Sequence, residues 1–186
     1  MTVKDKQPLV HKKLRVLCLH GYEQDSAIFR TKLRQHTDSL ADIAEFVFVD
    51  APNVMQPYDT SGVDNMARAT AVRSGGLMAG VMCALLENRY EALGKKCTHP
   101  PFAFAIIASG YKLSDSEWTH LYERPLCTPS LHMYGILDSY INISKSIDLR
   151  RTFSQSAELS TYGGHFVPKS PEAIKTIFDF VAQFAA

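Results

Sequence analysis

A serine hydroxyl becomes an effective nucleophile when a histidine takes its proton and a carboxylate holds that histidine in the right tautomer. Ser74, Asp138 and His165 occur in the order serine, acid, histidine, and each follows a run of residues that reads as a strand. Open parallel sheets carry their chemistry on the loops beyond the carboxyl ends of the strands, so residues placed this way converge on one crevice. A fourth loop, His20-Gly21-Tyr22, follows the first apolar run and belongs to the same edge. Any one of these residues alone is more often structural than catalytic. The ordered set carries the expectation of acyl transfer.

The elements that must position these residues are legible as alternating apolar runs and amphipathic stretches. Residues 14–19 (LRVLCL) and 45–50 (EFVFVD) are short apolar runs closed by His-Gly and Ala-Pro, the pattern of strands buried on both faces. Between them Ile28, Phe29, Leu33 and Leu40 recur at near-helical spacing, which predicts a helix over 26–40 with Asp25 or Ser26 as its cap. A short strand at 69–73 and a buried helix at 77–90 are predicted on either side of Ser74-Gly75-Gly76. Strands follow at 102–108, 130–134 and 157–160. Helices are predicted at 143–153 and at 171–184, the latter with proline in its first turn. The alternation implies a doubly wound, mostly parallel sheet with helices on both faces.

At 186 residues and 46% hydrophobic content, the chain suffices for one core, giving an expected domain over 14–186 after an N-terminal extension over 1–13. Twenty Lys and Arg against nineteen Asp and Glu generate no field that would favour nucleic acid or an anionic membrane as partner. The cluster Lys12, Lys13 and Arg15 reads as the solvated start of a strand. Cys18, Cys83, Cys97 and Cys127 show neither a CxxC pair nor metal-ligand spacing, so no metal and no cofactor are expected, and the thiols read as buried and free. No eighteen apolar residues run together and the first thirteen residues lack a secretory core, which gives a cytoplasmic expectation. In that compartment the sequon Asn142-Ile143-Ser144 reads as chance.

With these residues in view the chain resembles the FSH-type serine hydrolases of the α/β-hydrolase superfamily. LRVLCLHGYEQDSAIFR (14–30) with AEFVFVDAP (44–52) resembles the family's N-terminal signature, and PSLHMYGILD (129–138) with YGGHFVPKS (162–170) resembles its acid and histidine segments. The resemblance implies Asp138 as the acid, His165 as the base and no cofactor. It also implies an oxyanion hole from the backbone N–H groups of Gly75 and Tyr22. His20, Ser109, Tyr111, Tyr140 and Phe166 are expected to line the substrate pocket, with Trp118 beside Tyr140 as an apolar wall. His20 carries the further expectation of ordering its own loop.

Two departures mark the nucleophile region. The family's Gly-x-Ser-x-Gly elbow is Val72-Arg73-Ser74-Gly75-Gly76 here, with valine for the first glycine and with Arg73 and Gly75 for the usual phenylalanine and glutamine. The stretch between Pro52 and Ser74 is also shorter than the family's. The leading expectation is hydrolysis of a small-molecule ester or thioester through an acyl-enzyme on Ser74. The resemblance extends it to polyketide-like substrates and secondary metabolism. The alternatives are a cyclase or lyase using the His165–Asp138 pair without an acyl-enzyme, and a non-catalytic binding protein on an inherited fold. The shortened stretch leaves open a surface that a second subunit covers, as in a homodimer.

Overall fold

The computed structural model describes residues 12–21, 24–51, 75–88, 98–113 and 116–185. Tyr22, Ser74 and the strand expected at 69–73 lie outside them. Strand β1 (Leu14–Leu19) leads through helices α1 (Ser26–Lys32) and α2 (Arg34–Ser39) to β2 (Ala44–Val49), and the two strands pair in parallel from Leu14↔Ala44 to Leu19↔Val49. After helix α3 (Gly75–Asn88) comes β3 (Ala105–Ala108), then a 3-10 helix (Ser116–Tyr122) and β4 (Ser130–Gly135). Helix α4 (Ile143–Arg150), β5 (Ser156–Thr161) and helix α5 (Pro171–Ala182) complete the order. β4 lies between β3 and β5 and is parallel to both.

The expected α/β architecture is present, and alternation along the strands shows how its faces are covered. Ala105 and Ile107 of β3 pack with Leu77, Val81 and Ala84 of α3 and Leu149 of α4. Ile106 and Ala108 face the opposite way, toward a core of Leu131, Met133, Ile177, Phe180 and Val181 from β4 and α5. The second core also takes Leu40 of the α2–β2 connection, Ala44 of β2, and the partly buried Leu14, Val16 and Phe46. One apolar layer therefore seats both strand ladders, because a strand with alternate residues buried on each face needs helices on both sides.

Several boundaries differ from expectation for local reasons. The helix expected over 26–40 is interrupted at Leu33, which has φ −90° and ψ 3° and serves as cap to both pieces. Thr31 Oγ1, Thr37 Oγ1 and Ser39 Oγ donate to the carbonyls of Ala27, Arg34 and His36, the kind of back-bonding that bends and weakens helices. Asp25 is the cap of α1, its Oδ1 accepting from Ile28 N at 2.7 Å. α5 starts at Pro171, with Ser170 Oγ accepting from Ala173 N. β3 begins three residues later than expected: Phe104 instead stacks on Phe184, and Phe102 lies against His99. Cys18 and Cys83 are buried free thiols, both pushed up to about 12 chiefly by burial, whereas Cys127 is exposed. Among the described residues no helix is long and apolar enough to cross a membrane.

Candidate active site

β4 and β5 are parallel neighbours, so the loops that leave their carboxyl ends start side by side. Gly135 ends β4, and a Cβ there would stand 2.1 Å from Gly163 O and 2.5 Å from Gly164 O, which leaves room for hydrogen only. Ile136 N donates to Thr161 O and Leu137 N to Gly163 O, so the two loops are stitched together before either reaches its functional residue. His165 Nδ1 then donates to Asp138 Oδ2 at 2.8 Å. The Asp138 side chain is 1% exposed and the His165 side chain 34%, so the carboxylate is sealed while one face of the imidazole is open.

Asp138 is held by four donors. Oδ1 accepts from the N–H groups of Tyr140 and Ile141, each at 2.9 Å, and Oδ2 accepts from Ser109 Oγ at 2.8 Å as well as from His165. Burial pushes its pKa up, but the hydrogen bonds from Ile141, His165, Ser109 and Tyr140 outweigh burial and hold it below the ordinary carboxylate value. An ionised carboxylate only accepts, so His165 carries a proton on Nδ1, and of the two neutral tautomers the one with its lone pair on Nε2 is selected. This is the tautomer a general base requires.

The first turn of α3 is set against this edge by close backbone approach. A Cβ on Gly75 would lie 2.2 Å from Leu19 O at the end of β1, and one on Gly76 would lie 2.3 Å from Ala108 O at the end of β3. Glycine in place of the family's glutamine at 75 is thus matched by a helix start pressed onto β1. Gly76 approaches Gly110, the neighbour of Ser109, and Ser109 reaches Asp138. Contacts therefore run unbroken from the end of β1 through α3 and β3 to His165.

The expected pocket residues divide. Tyr140 is exposed with its ring centroid 5.4 Å from that of His165, and Phe166, Tyr162 and Leu137 are exposed around the same loops. The other expected residues make contacts within the protein. His20 Nε2 accepts from Ala51 N at 3.1 Å and its Nδ1 donates to Gly21 O at 3.0 Å, so the ring ties the β1 loop to the residue that follows β2 by two. Ser109 is 4% exposed and its hydroxyl donates to Asp138 Oδ2. Trp118 and Tyr111 are partly buried and pack on the core that α3, β3 and α4 contribute to. His36 is a residue that sequence reasoning passed over. It is 4% exposed, and its Nε2 donates to Pro168 O at 2.9 Å, pinning the far end of the His165 loop to α2. Its position three residues after Leu33 and four before Leu40, on the apolar face, was the available signal. Among the described residues no three His, Cys, Asp or Glu side chains form a group that could hold a metal ion.

A family profile described as serine hydrolase (FSH1) matches residues 10–74 and 71–177. The chain belongs to the FSH1 serine hydrolase family. Among the relatives of this FSH1 member, the human esterase OVCA2 is 35% identical, with 92% of this chain and 97% of the relative aligned. Esterase GA18864 of Drosophila pseudoobscura pseudoobscura is 27% identical over 92% of this chain and 72% of its own length. The human alignment extends over 221 residues against the 186 of this chain, and the profile match breaks at 71–74, within the stretch expected to be short. Among solved structures, Zea mays acyl-protein thioesterase 2 superimposes with a TM-score of 0.61 at 13% identity, covering 97% of each chain. Esterase PE8 gives 0.58 at 19% identity, covering 93% of each. These likenesses show the α/β-hydrolase fold, and the family membership supports a hydrolase.

Proposed function

We propose that this FSH1 member hydrolyses a carboxylic ester or thioester of a small molecule through an acyl-enzyme on Ser74. The observation that carries the reading is the sealed Asp138 Oδ2–His165 Nδ1 hydrogen bond at 2.8 Å, which orients an imidazole whose side chain is part exposed. In the proposed reaction His165 Nε2 takes the proton of Ser74 Oγ as that oxygen attacks the acyl carbon. The N–H groups of Gly75 and Tyr22 stabilise the oxyanion, and His165 returns the proton to the departing alcohol or thiol. Water then repeats the sequence and releases the acid. Asp138 stays ionised throughout and stabilises the imidazolium.

The exposed Leu137, Tyr140, Tyr162 and Phe166 support an apolar or aromatic acyl group, since scattered polar side chains would be the ordinary surface at a loop edge. The test is fluorophosphonate labelling of the wild-type chain beside Ser74→Ala and His165→Ala. Labelling of the wild type alone is expected, with parallel turnover of p-nitrophenyl esters and acyl thioesters. Undiminished labelling of Ser74→Ala, or none of the folded wild type, would overturn the acyl-enzyme.

A further inference from the structure

Ser109 stands at the end of β3 with φ 46°, and it is the one non-glycine residue of positive φ among the described residues. That left-handed region favours glycine, so a serine kept there needs a compensating interaction. Two bonds hold it: its N–H donates to Met133 O at 2.8 Å, and its hydroxyl donates to Asp138 Oδ2 at 2.8 Å. The residue is 4% exposed.

The placement matters because of what lies on either side. Oδ1 of Asp138 is fixed by two backbone N–H groups, but on Oδ2 the partner other than His165 is the Ser109 hydroxyl. On its other flank the Ala108–Gly110 turn is jammed against Gly76 in the first turn of α3, next to the residue proposed as nucleophile. We propose that Ser109 is a positioning residue for the acid, aiming Asp138 Oδ2 at His165 and locking the acid loop to the start of α3. This rests on the reading of Asp138 and His165 as the acid and base of a serine hydrolase. Ser109 bonds Asp138 and not His165, and it transfers no proton to substrate; it acts through Asp138.

A turn residue with a purely structural role would be replaced at no loss by glycine, which relaxes the strain at φ 46°. The test therefore uses Ser109→Gly together with Ser109→Ala, and Asp138→Ala and His165→Ala alongside, on the full chain with p-nitrophenyl butyrate as substrate. Loss of a hydrogen bond to a charged group predicts that kcat falls about tenfold to a hundredfold in both Ser109 variants, while KM stays within about twofold. The downfield proton resonance of the His165 Nδ1–H should shift or broaden in both. Ser109→Gly with wild-type kcat and an unchanged His165 resonance overturns the assignment, and it keeps the experiment decisive if Ser109→Ala fails to fold. If Asp138→Ala and His165→Ala abolish turnover while Ser109→Gly does not reduce it, the Ser109 role alone falls. If those two variants turn over at the wild-type rate, the hydrolase reading falls, and with it the role for Ser109.

Discussion

Replacing Gly135 by alanine tests how tightly the two functional loops depend on one backbone contact. The new Cβ would stand 2.1 Å from Gly163 O, whereas real Cβ contacts stay beyond 3.0 Å, so strand end and glycine turn must separate by about 1 Å. Both neighbours are backbone, hence neither can swing aside. The separation lies directly between the segments carrying Asp138 and His165, whose hydrogen bond is 2.8 Å long. Overpacking of this kind costs about 1–3 kcal/mol, and misplacement of a reacting group by about 1 Å costs about a hundredfold in rate. At this chain length that stability loss lowers Tm by about 2–12 °C. Gly164→Ala is the control, because its nearest heavy atom is at 3.8 Å, an ordinary contact. Fluorophosphonate labelling rates and thermal melts of both variants should show Gly135→Ala strongly impaired and Gly164→Ala close to wild type. A Gly135→Ala protein with labelling within about twofold of wild type and an unshifted melt would refute the claim that this contact sets the geometry.

Other outcomes follow from buried groups and from the rim. His132, 2% exposed in β4, is lowered to about 4 by burial and by Arg150, against about 6.5 when unfolded. The unfolded chain takes up this proton first, so stability contributed by a neutral His132 is lost as pH falls from about 6.5 to about 4, about 3 kcal/mol in all. Urea melts of His132→Leu should show a correspondingly flatter dependence in that window. His36→Ala leaves Pro168 O without its donor and should cost about 1–3 kcal/mol by denaturant titration, with kcat reduced more than KM is raised. Tyr140→Ala and Phe166→Ala, both at exposed side chains, should leave the melt unchanged within about 0.5 kcal/mol while raising KM for apolar esters.

The strands and the Asp138–His165 pair were legible because their signals are local: an apolar run closed by a turn, or a polar residue at a fixed distance past that run. β1 matches its expected span, and β2 differs from its expected span by one residue at each end. The break at Leu33 was not legible, since the apolar spacing of Ile28, Phe29, Leu33 and Leu40 continues across it. The role of Ser109 was hidden for a different reason. Serine-glycine after a strand reads as an ordinary turn, and the hydroxyl's partner is Asp138, 29 residues further on, brought near because β4 pairs with β3. Likewise His36 meets Pro168 across 132 residues, a pairing that no helical period encodes. The expectation at Gly75 concerned an oxyanion donor, and its need for a bare Cα became visible once β1 was in place.

Trp118 gives the protein a spectroscopic signature of its own. It is the single tryptophan of the chain, packed on the core between α3 and β3 with its ring stacked on His120. Its emission will report the collapse or exposure of that layer, while Tyr140 and Tyr162, on the loops that carry Asp138 and His165, stand exposed. A red shift in tryptophan emission on denaturation and a tyrosine absorbance change on inhibitor binding should accordingly be separable signals in one sample.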